Sequence, residues 1–121
     1  MDCIFCKIIN GDIPSYTIYE DEYVKCFLDI DPVSNGHTLI VPKKHFVDNI
    51  DIDNEYYLKI HEASKKVVEL LSKKMNNDGY RLIQNNGNVQ EVKHYHLHVI
   101  PTYKKKNSKM NVEDVFNLLT K

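Results

Sequence analysis

The segment His94-Tyr95-His96-Leu97-His98-Val99-Ile100-Pro101 constrains this chain more than any other. Its alternation reads as a strand over Lys93 to Pro101, and side chains alternate faces along a strand. His94, His96 and His98 would then share one face, with Tyr95, Leu97 and Val99 on the other. The chain has only six histidines, so three imidazoles in one row ask for more than a polar sheet face. A strand rises about 3.3 Å per residue, which separates the backbones of His94 and His98 by roughly 13 Å. One metal ion with bonds near 2.1 Å can take imidazoles at i and i+2, but hardly all three from an unkinked strand. The row should therefore divide, some imidazoles serving a metal or scaffold and others doing chemistry. Neutral imidazole is both base and nucleophile near pH 7, which suits it to the second task.

The rest of the chain supplies partners for that strand. Ile4 to Ile9 reads as a short helix ended by Asn10-Gly11, and Tyr16 to Glu20 and Tyr23 to Leu28 read as strands. Thr38 to Val41 is a buried strand closed by Pro42. From Asn54 to Asn76, apolar residues including Ile60, Ala63, Val67 and Leu71 recur at three- and four-residue steps, the pattern of an amphipathic helix. Asn76-Asn77-Asp78-Gly79 stops it, Tyr80 to Gln84 is a strand, and Asn85-Asn86-Gly87-Asn88 is a turn. Val112, Val115, Phe116 and Leu119 mark a last helix with Asn111 or Ser108 as N-cap. The fold class is α+β: an antiparallel sheet with one long helix packed on it and a short C-terminal helix.

At 121 residues the chain is expected to be a single domain, 1–121. Sixteen basic against seventeen acidic residues leave no basic excess for a general nucleic-acid binder. No apolar run approaches the ~20 residues of a membrane span. The start, Met1-Asp2-Cys3-Ile4-Phe5-Cys6, lacks the basic and apolar regions of a signal peptide, and a cytoplasmic address is expected. Three cysteines argue against a disulfide framework. Cys26, in an apolar stretch, reads as a small buried hydrophobe. Cys3 and Cys6 stand at Cys-x-x-Cys spacing: half a zinc site lacking two ligands, a redox pair, or coincidence. The redox reading is the weakest, because no strand precedes Cys3. Two further features point to an anionic ligand: the Asn85-Asn86-Gly87 turn, able to hold phosphate oxygens, and Asp29 and Asp31, either able to accept from a ribose diol.

These residues make the sequence similar to the histidine triad family, in its nucleoside phosphoramidase branch. Residues 94–100 match its His-φ-His-φ-His-φ-φ pattern. The likeness runs over about 3–101, through Ile4-Phe5, Ile13-Pro14, Phe27-Leu28-Asp29-Ile30-Asp31-Pro32, Gly36 to His45 and Gln90-x-Val92-x-His94, leaving a C-terminal extension of about 108–121. The resemblance implies a nucleotide hydrolase or transferase acting on purine nucleoside 5′-phosphoramidates, with AMP or GMP as product. His96 would be the nucleophile forming a nucleotidyl-histidine, and His98 would bind the phosphate and stabilise charge on its oxygens. Asn85 would contact phosphate, Asp29 the ribose, and Ile4, Phe5, Ile8, Ile13 and Phe27 would line the purine pocket. It also implies a structural zinc held by Cys3, Cys6, His45 and His94, and a homodimer built on the long helix and the strand after it. His37 is assigned to structure rather than chemistry.

The chain departs from the family pattern in two places. Asn85 to Gln90 is shorter than in many relatives and has Val89 where they carry glycine, which implies a tighter phosphate-facing loop. Glu91 stands where eukaryotic members carry serine near the leaving group. A carboxylate there would repel phosphate or select a cationic leaving group, so Glu91 joins the substrate-binding candidates. Three other readings remain: a dinucleoside polyphosphate hydrolase, a nucleotide-binding regulatory protein with little turnover, and a metalloenzyme using His96 and His98 as metal ligands.

Overall fold

The computed structural model describes residues 3–121; Met1 and Asp2, part of the start read above as no signal peptide, lie outside them. In order, the elements are α1 (Ile4–Ile9), β1 (Thr17–Glu20), β2 (Val24–Leu28), β3 (Thr38–Pro42), α2 (Asn54–Met75), β4 (Gly79–Gln84), β5 (Leu97–Thr102) and α3 (Val112–Thr120). The strands form one sheet in the order β1-β2-β3-β5-β4, every pairing antiparallel. Among the described residues no helix is long and apolar enough to cross a membrane.

Period-two alternation splits the sheet into two unlike faces. Val24, Cys26 and Leu28 of β2, Ile40 of β3, and Leu97 and Val99 of β5 point to one side. There they meet Ile60, Ala63, Val67 and Leu71 of α2 and Val115 and Leu119 of α3. Phe27, Leu39 and Val41 point to the other side and take Phe5 and Ile8 of α1. The register sets Phe27 opposite Leu39, Leu39 opposite His98, and His98 opposite Ile83. His98 thus stands in the row under α1, on the face that the long helix leaves free.

The helix boundaries follow their caps. Asp53 accepts the Tyr56 amide at 2.9 Å at the start of α2. Asn76 ends it in the left-handed conformation at φ 54, a position that favours Gly or Asn. Of the two expected N-caps for α3, Asn111 is the one used, accepting the Glu113 amide at 2.8 Å. Cys26 is fully buried, and burial raises its thiol pKa.

The histidine strand differs from expectation. β5 begins at Leu97 rather than Lys93, and residues 91–94 form a bend. The pairing of β3 with β5 stops at Ile40–Leu97. Beyond it the Pro42 carbonyl sits 2.9 Å from His94 Nε2, and the Tyr95 amide donates to the Phe46 carbonyl at 2.7 Å. Chain that would have extended the ladder is held by other partners, and this releases His94 from the face it would share with His98.

The β2–β3 connection carries Asp29 and His37 and is fastened at several points. The Asp29 amide donates to the His37 carbonyl at 3.0 Å. Gly36 takes φ +95, and a Cβ there would lie 2.9 Å from Leu71 Cδ2, so the turn requires glycine. The buried Asn35 donates through Nδ2 to the Ser108 carbonyl and accepts the Met110 amide, each at 2.8 Å. The segment leading into α3 thereby holds the loop that presents His37.

Candidate active site and metal centre

The divided histidine row has two destinations. His94 turns toward α1, where its Nδ1 lies 3.4 Å from Cys3 Sγ, 3.5 Å from Cys6 Sγ and 3.1 Å from His45 Nδ1. Cys6 Sγ lies 3.3 Å from His45 Nδ1, and one donor atom from each of the four residues falls within 4.8 Å of all the others. A tetrahedral zinc with bonds of about 2.3 Å to sulfur and 2.0–2.1 Å to nitrogen separates its ligand atoms by about 3.3–3.8 Å. Four of the six donor pairs, at 3.1–3.5 Å, lie close to that spacing.

Protonation matches it too. His94 Nε2–H donates to the Pro42 carbonyl, so Nδ1 turns a lone pair on the cluster, the outer hydrogen bond that orients a ligating imidazole. Cys3 Sγ accepts the Cys6 amide at 3.3 Å as the cap of α1. Burial and the neighbouring Cys3 thiol push Cys6 up to about 11. A divalent cation reverses that preference by stabilising the thiolate.

His96 and His98 face a cleft of ≈ 220 Å³ between α1, the end of β2 and the segment before β5. His96 is buried, and its Nδ1–H donates to the His94 carbonyl at 2.8 Å. Nδ1 is therefore the protonated nitrogen, Nε2 keeps its lone pair, and Nε2 takes no hydrogen bond among the described residues. The Phe5 ring stands edge-on to the imidazole with centroids 5.0 Å apart. Burial lowers the His96 pKa, opposed by that hydrogen bond and by the negative charges of Asp29 and Glu91.

A second chain of hydrogen bonds fixes His98. The Val33 amide donates to His37 Nδ1 at 3.1 Å, so the His37 proton is on Nε2. That Nε2–H meets His98 Nδ1 at 3.0 Å, with Asp29 Oδ2 at 3.6 Å. His98 must then carry its own proton on Nε2, as a donor. Burial, with His96 and His37 beside it, lowers the His98 pKa to about 4, and burial lowers that of His37 as well. Asp29, His37 and His98 also fall within metal-ligand distance of one another. The Val33 bond argues for a hydrogen-bond relay that sets the tautomer of His98, because a metal on His37 Nε2 would move the imidazole proton to Nδ1, against an N–H donor.

The cleft gathers most of the residues singled out in the sequence. Ile4, Phe5, Ile8, Ile13 and Phe27 line its apolar end together with Leu39, and Asp29, Glu91, His96 and His98 line the rest. Asp29 Oδ1 also accepts the Asp31 amide at 2.9 Å, so Asp31 serves the loop. Asn85 is not among the lining residues; it follows Gln84, the last residue of β4, which pairs with Leu97. His37 is the functional candidate that sequence reasoning missed. Its signal is spatial: Thr38 pairs with Val99 and Leu39 with His98, which carries the preceding residue to His98 across 61 positions of chain.

A family model of the HIT domain matches residues 10–105. The chain belongs to the HIT family. An uncharacterised HIT-like protein of Methanocaldococcus jannaschii is 52% identical over 103 residues, 84% of this chain and 79% of that protein. The adenosine 5′-monophosphoramidase of Saccharomyces cerevisiae is 45% identical over 101 residues, 82% of this chain and 61% of the yeast protein. Among solved structures, a zinc-bound histidine triad family protein of Mycobacterium smegmatis superimposes with a TM-score of 0.90 at 34% identity, covering 99% of this chain and 91% of that one. Membership agrees with the five-stranded antiparallel sheet, the long helix and the Cys3–Cys6–His45–His94 metal-site candidate.

Proposed function

We propose that this HIT protein hydrolyses purine nucleoside 5′-phosphoramidates of the AMP–amine type through a nucleotidyl-His96 intermediate. The observation that carries the reading is the locked tautomer of His96: Nδ1–H is committed to the His94 carbonyl, and Nε2 is free beside the cleft. The Nε2 lone pair attacks the α-phosphorus, and the phosphorus–nitrogen bond breaks. The departing nitrogen takes a proton from solvent and leaves as the amine. Water then supplies hydroxyl to phosphorus and a proton to solvent, the phosphorus–Nε2 bond breaks, and His96 returns neutral; the sum consumes one water. His98 Nε2–H donates to the phosphate oxygens as charge builds on them. Asp29 takes the ribose hydroxyls, Asn85 a phosphate oxygen, and the apolar end the purine ring. Likeness to a phosphoramidase in yeast supports the amine-leaving reaction.

Cys3, Cys6, His45 and His94 would hold a zinc ion as a structural cross-link between α1 and the segment before β5. The set is closed at four protein ligands, as structural sites are. Pairing of two copies would use β4, an outer strand exposing Tyr80, Leu82 and Ile83, together with Tyr57 and Leu58 of α2. Light scattering on Ile83→Lys against wild type checks this; the dimer reading expects a monomer from the variant, and fails if the wild type is itself monomeric.

The test of function is phosphorus NMR of adenosine 5′-phosphoramidate with purified protein, with and without chelator. Conversion to AMP that survives a chelator supports the reading. Cleavage of diadenosine polyphosphates with the phosphoramidate untouched would transfer it to the polyphosphate hydrolases, and nucleotide affinity without turnover to a binding protein.

A further inference from the structure

The cleft has a charge pattern that nucleotide binding alone does not explain. Its lining includes the carboxylates of Asp29 and Glu91 and no lysine or arginine. Asp29 is engaged, accepting the Asp31 amide and standing beside His37. Glu91 makes no hydrogen bond or ion pair among the described residues, yet its charge is felt at His96. Together with Ile4 and Val92 it also lines an adjoining open groove of ≈ 470 Å³, which reaches His45, Val47 and Lys93. Lys93 lines the groove as well but makes no ion pair with Glu91; its ammonium donates to the Gly87 carbonyl at 2.6 Å.

Displacement at phosphorus sets the nucleophile and the leaving group on opposite sides. With the phosphate at His96 and His98 and the ribose at Asp29, Glu91 stands where the cleft opens into the groove, a side open to the leaving group. An unpartnered carboxylate there attracts a cation and repels an anion. Resting on the phosphoramidase reading above, we propose that Glu91 is a specificity-determining residue for the leaving group. It favours amines that carry a second positive charge, such as diamines and basic side chains, over neutral and acidic amines.

The test uses three adenosine 5′-phosphoramidates of matched length, made from 1,3-diaminopropane, n-butylamine and β-alanine, with kcat/KM measured for wild type and Glu91→Gln at low and high salt. In the wild type at low salt the diamine is favoured over butylamine by about five-fold, the size of one partly exposed ion pair, with the β-alanine compound slowest. Glu91→Gln brings the three toward equality, and salt compresses the wild-type order in the same direction. Equal ratios in wild type and variant, or a wild-type preference for the neutral amine, would overturn the inference while leaving the phosphoramidase reading standing. No turnover of any phosphoramidate, including the unsubstituted one, would remove that reading and this one with it.

Discussion

Replacing His37 by leucine tests the relay behind His98. The substitution keeps a similar volume in a buried position but removes the donor to His98 Nδ1 and the acceptor of the Val33 amide. The Val33 side of the loss is small, because that residue is exposed and water can take over its amide. At His98 the loss bears on chemistry. Without the donor at 3.0 Å, its two neutral tautomers approach equal energy, and in one of them Nε2 has no proton to offer phosphate. A neutral hydrogen bond is worth about 0.5–1.5 kcal/mol net, and the Asp29 carboxylate near His37 Nε2 puts this one toward the upper end. Since about 1.4 kcal/mol is a factor of ten in a tautomer ratio, the Nε2-protonated share falls from about nine-tenths to about half, and kcat should fall about two-fold. Outright removal of a donor of this kind costs about 10²–10³, so His98→Ala should fall further. The assay is kcat and KM on adenosine 5′-phosphoramidate, with nitrogen NMR to report the His98 tautomer and thermal unfolding to verify the fold. A folded His37→Leu protein with kcat equal to wild type, or with His98 still wholly Nε2-protonated, would refute the relay.

Three further outcomes follow from the same structure. Cys3→Ala with Cys6→Ala should abolish zinc measured by metal analysis and lower the unfolding temperature; undiminished zinc in the double variant would refute the site. His98 and His37 have depressed pKa values, so unfolded chain binds protons from about pH 6.5 that the folded state refuses, at His98 until about pH 4. Their contribution to stability is therefore complete above pH 6.5 and is lost as pH falls through that window. Denaturant midpoints should drop from pH 7 to pH 5, less steeply in His98→Gln, and an equal slope in both proteins would contradict the assignment. Gly36→Ala should destabilise by about 1–3 kcal/mol through positive φ and the contact with Leu71, and an unchanged melting temperature would count against the tight turn.

Much of the fold was legible because it follows from short-range patterns. The three- and four-residue recurrence of Ile60, Ala63, Val67 and Leu71 predicts the buried stripe of α2, Asn76 is read correctly as its stop, and the α3 cap is one of the two residues expected, Asn111. The length argument against one metal for three strand histidines predicts a divided row, and the structure sends His94 to the cysteines and His96 and His98 to the cleft. The means of division was not legible. It is a bend at 91–94, fixed by the Pro42 and Phe46 carbonyls, and neither lies near it in sequence. The relay was hidden for the same reason: that His37 reaches His98 depends on the β3–β5 register, which no local pattern encodes. The open position of Glu91 between two cavities likewise becomes visible only once α1 and the 91–94 bend are packed together.

The central claim is that His96 Nε2 becomes bonded to phosphorus. Its most direct test is to mix the protein with adenosine 5′-phosphoramidate, quench in base within the first turnovers, and map the peptides by mass spectrometry. The account predicts an adenylyl group on His96 and on no other residue, with neither adduct nor turnover in His96→Ala. An adduct on another side chain, or AMP released by His96→Ala at the wild-type rate, would contradict it.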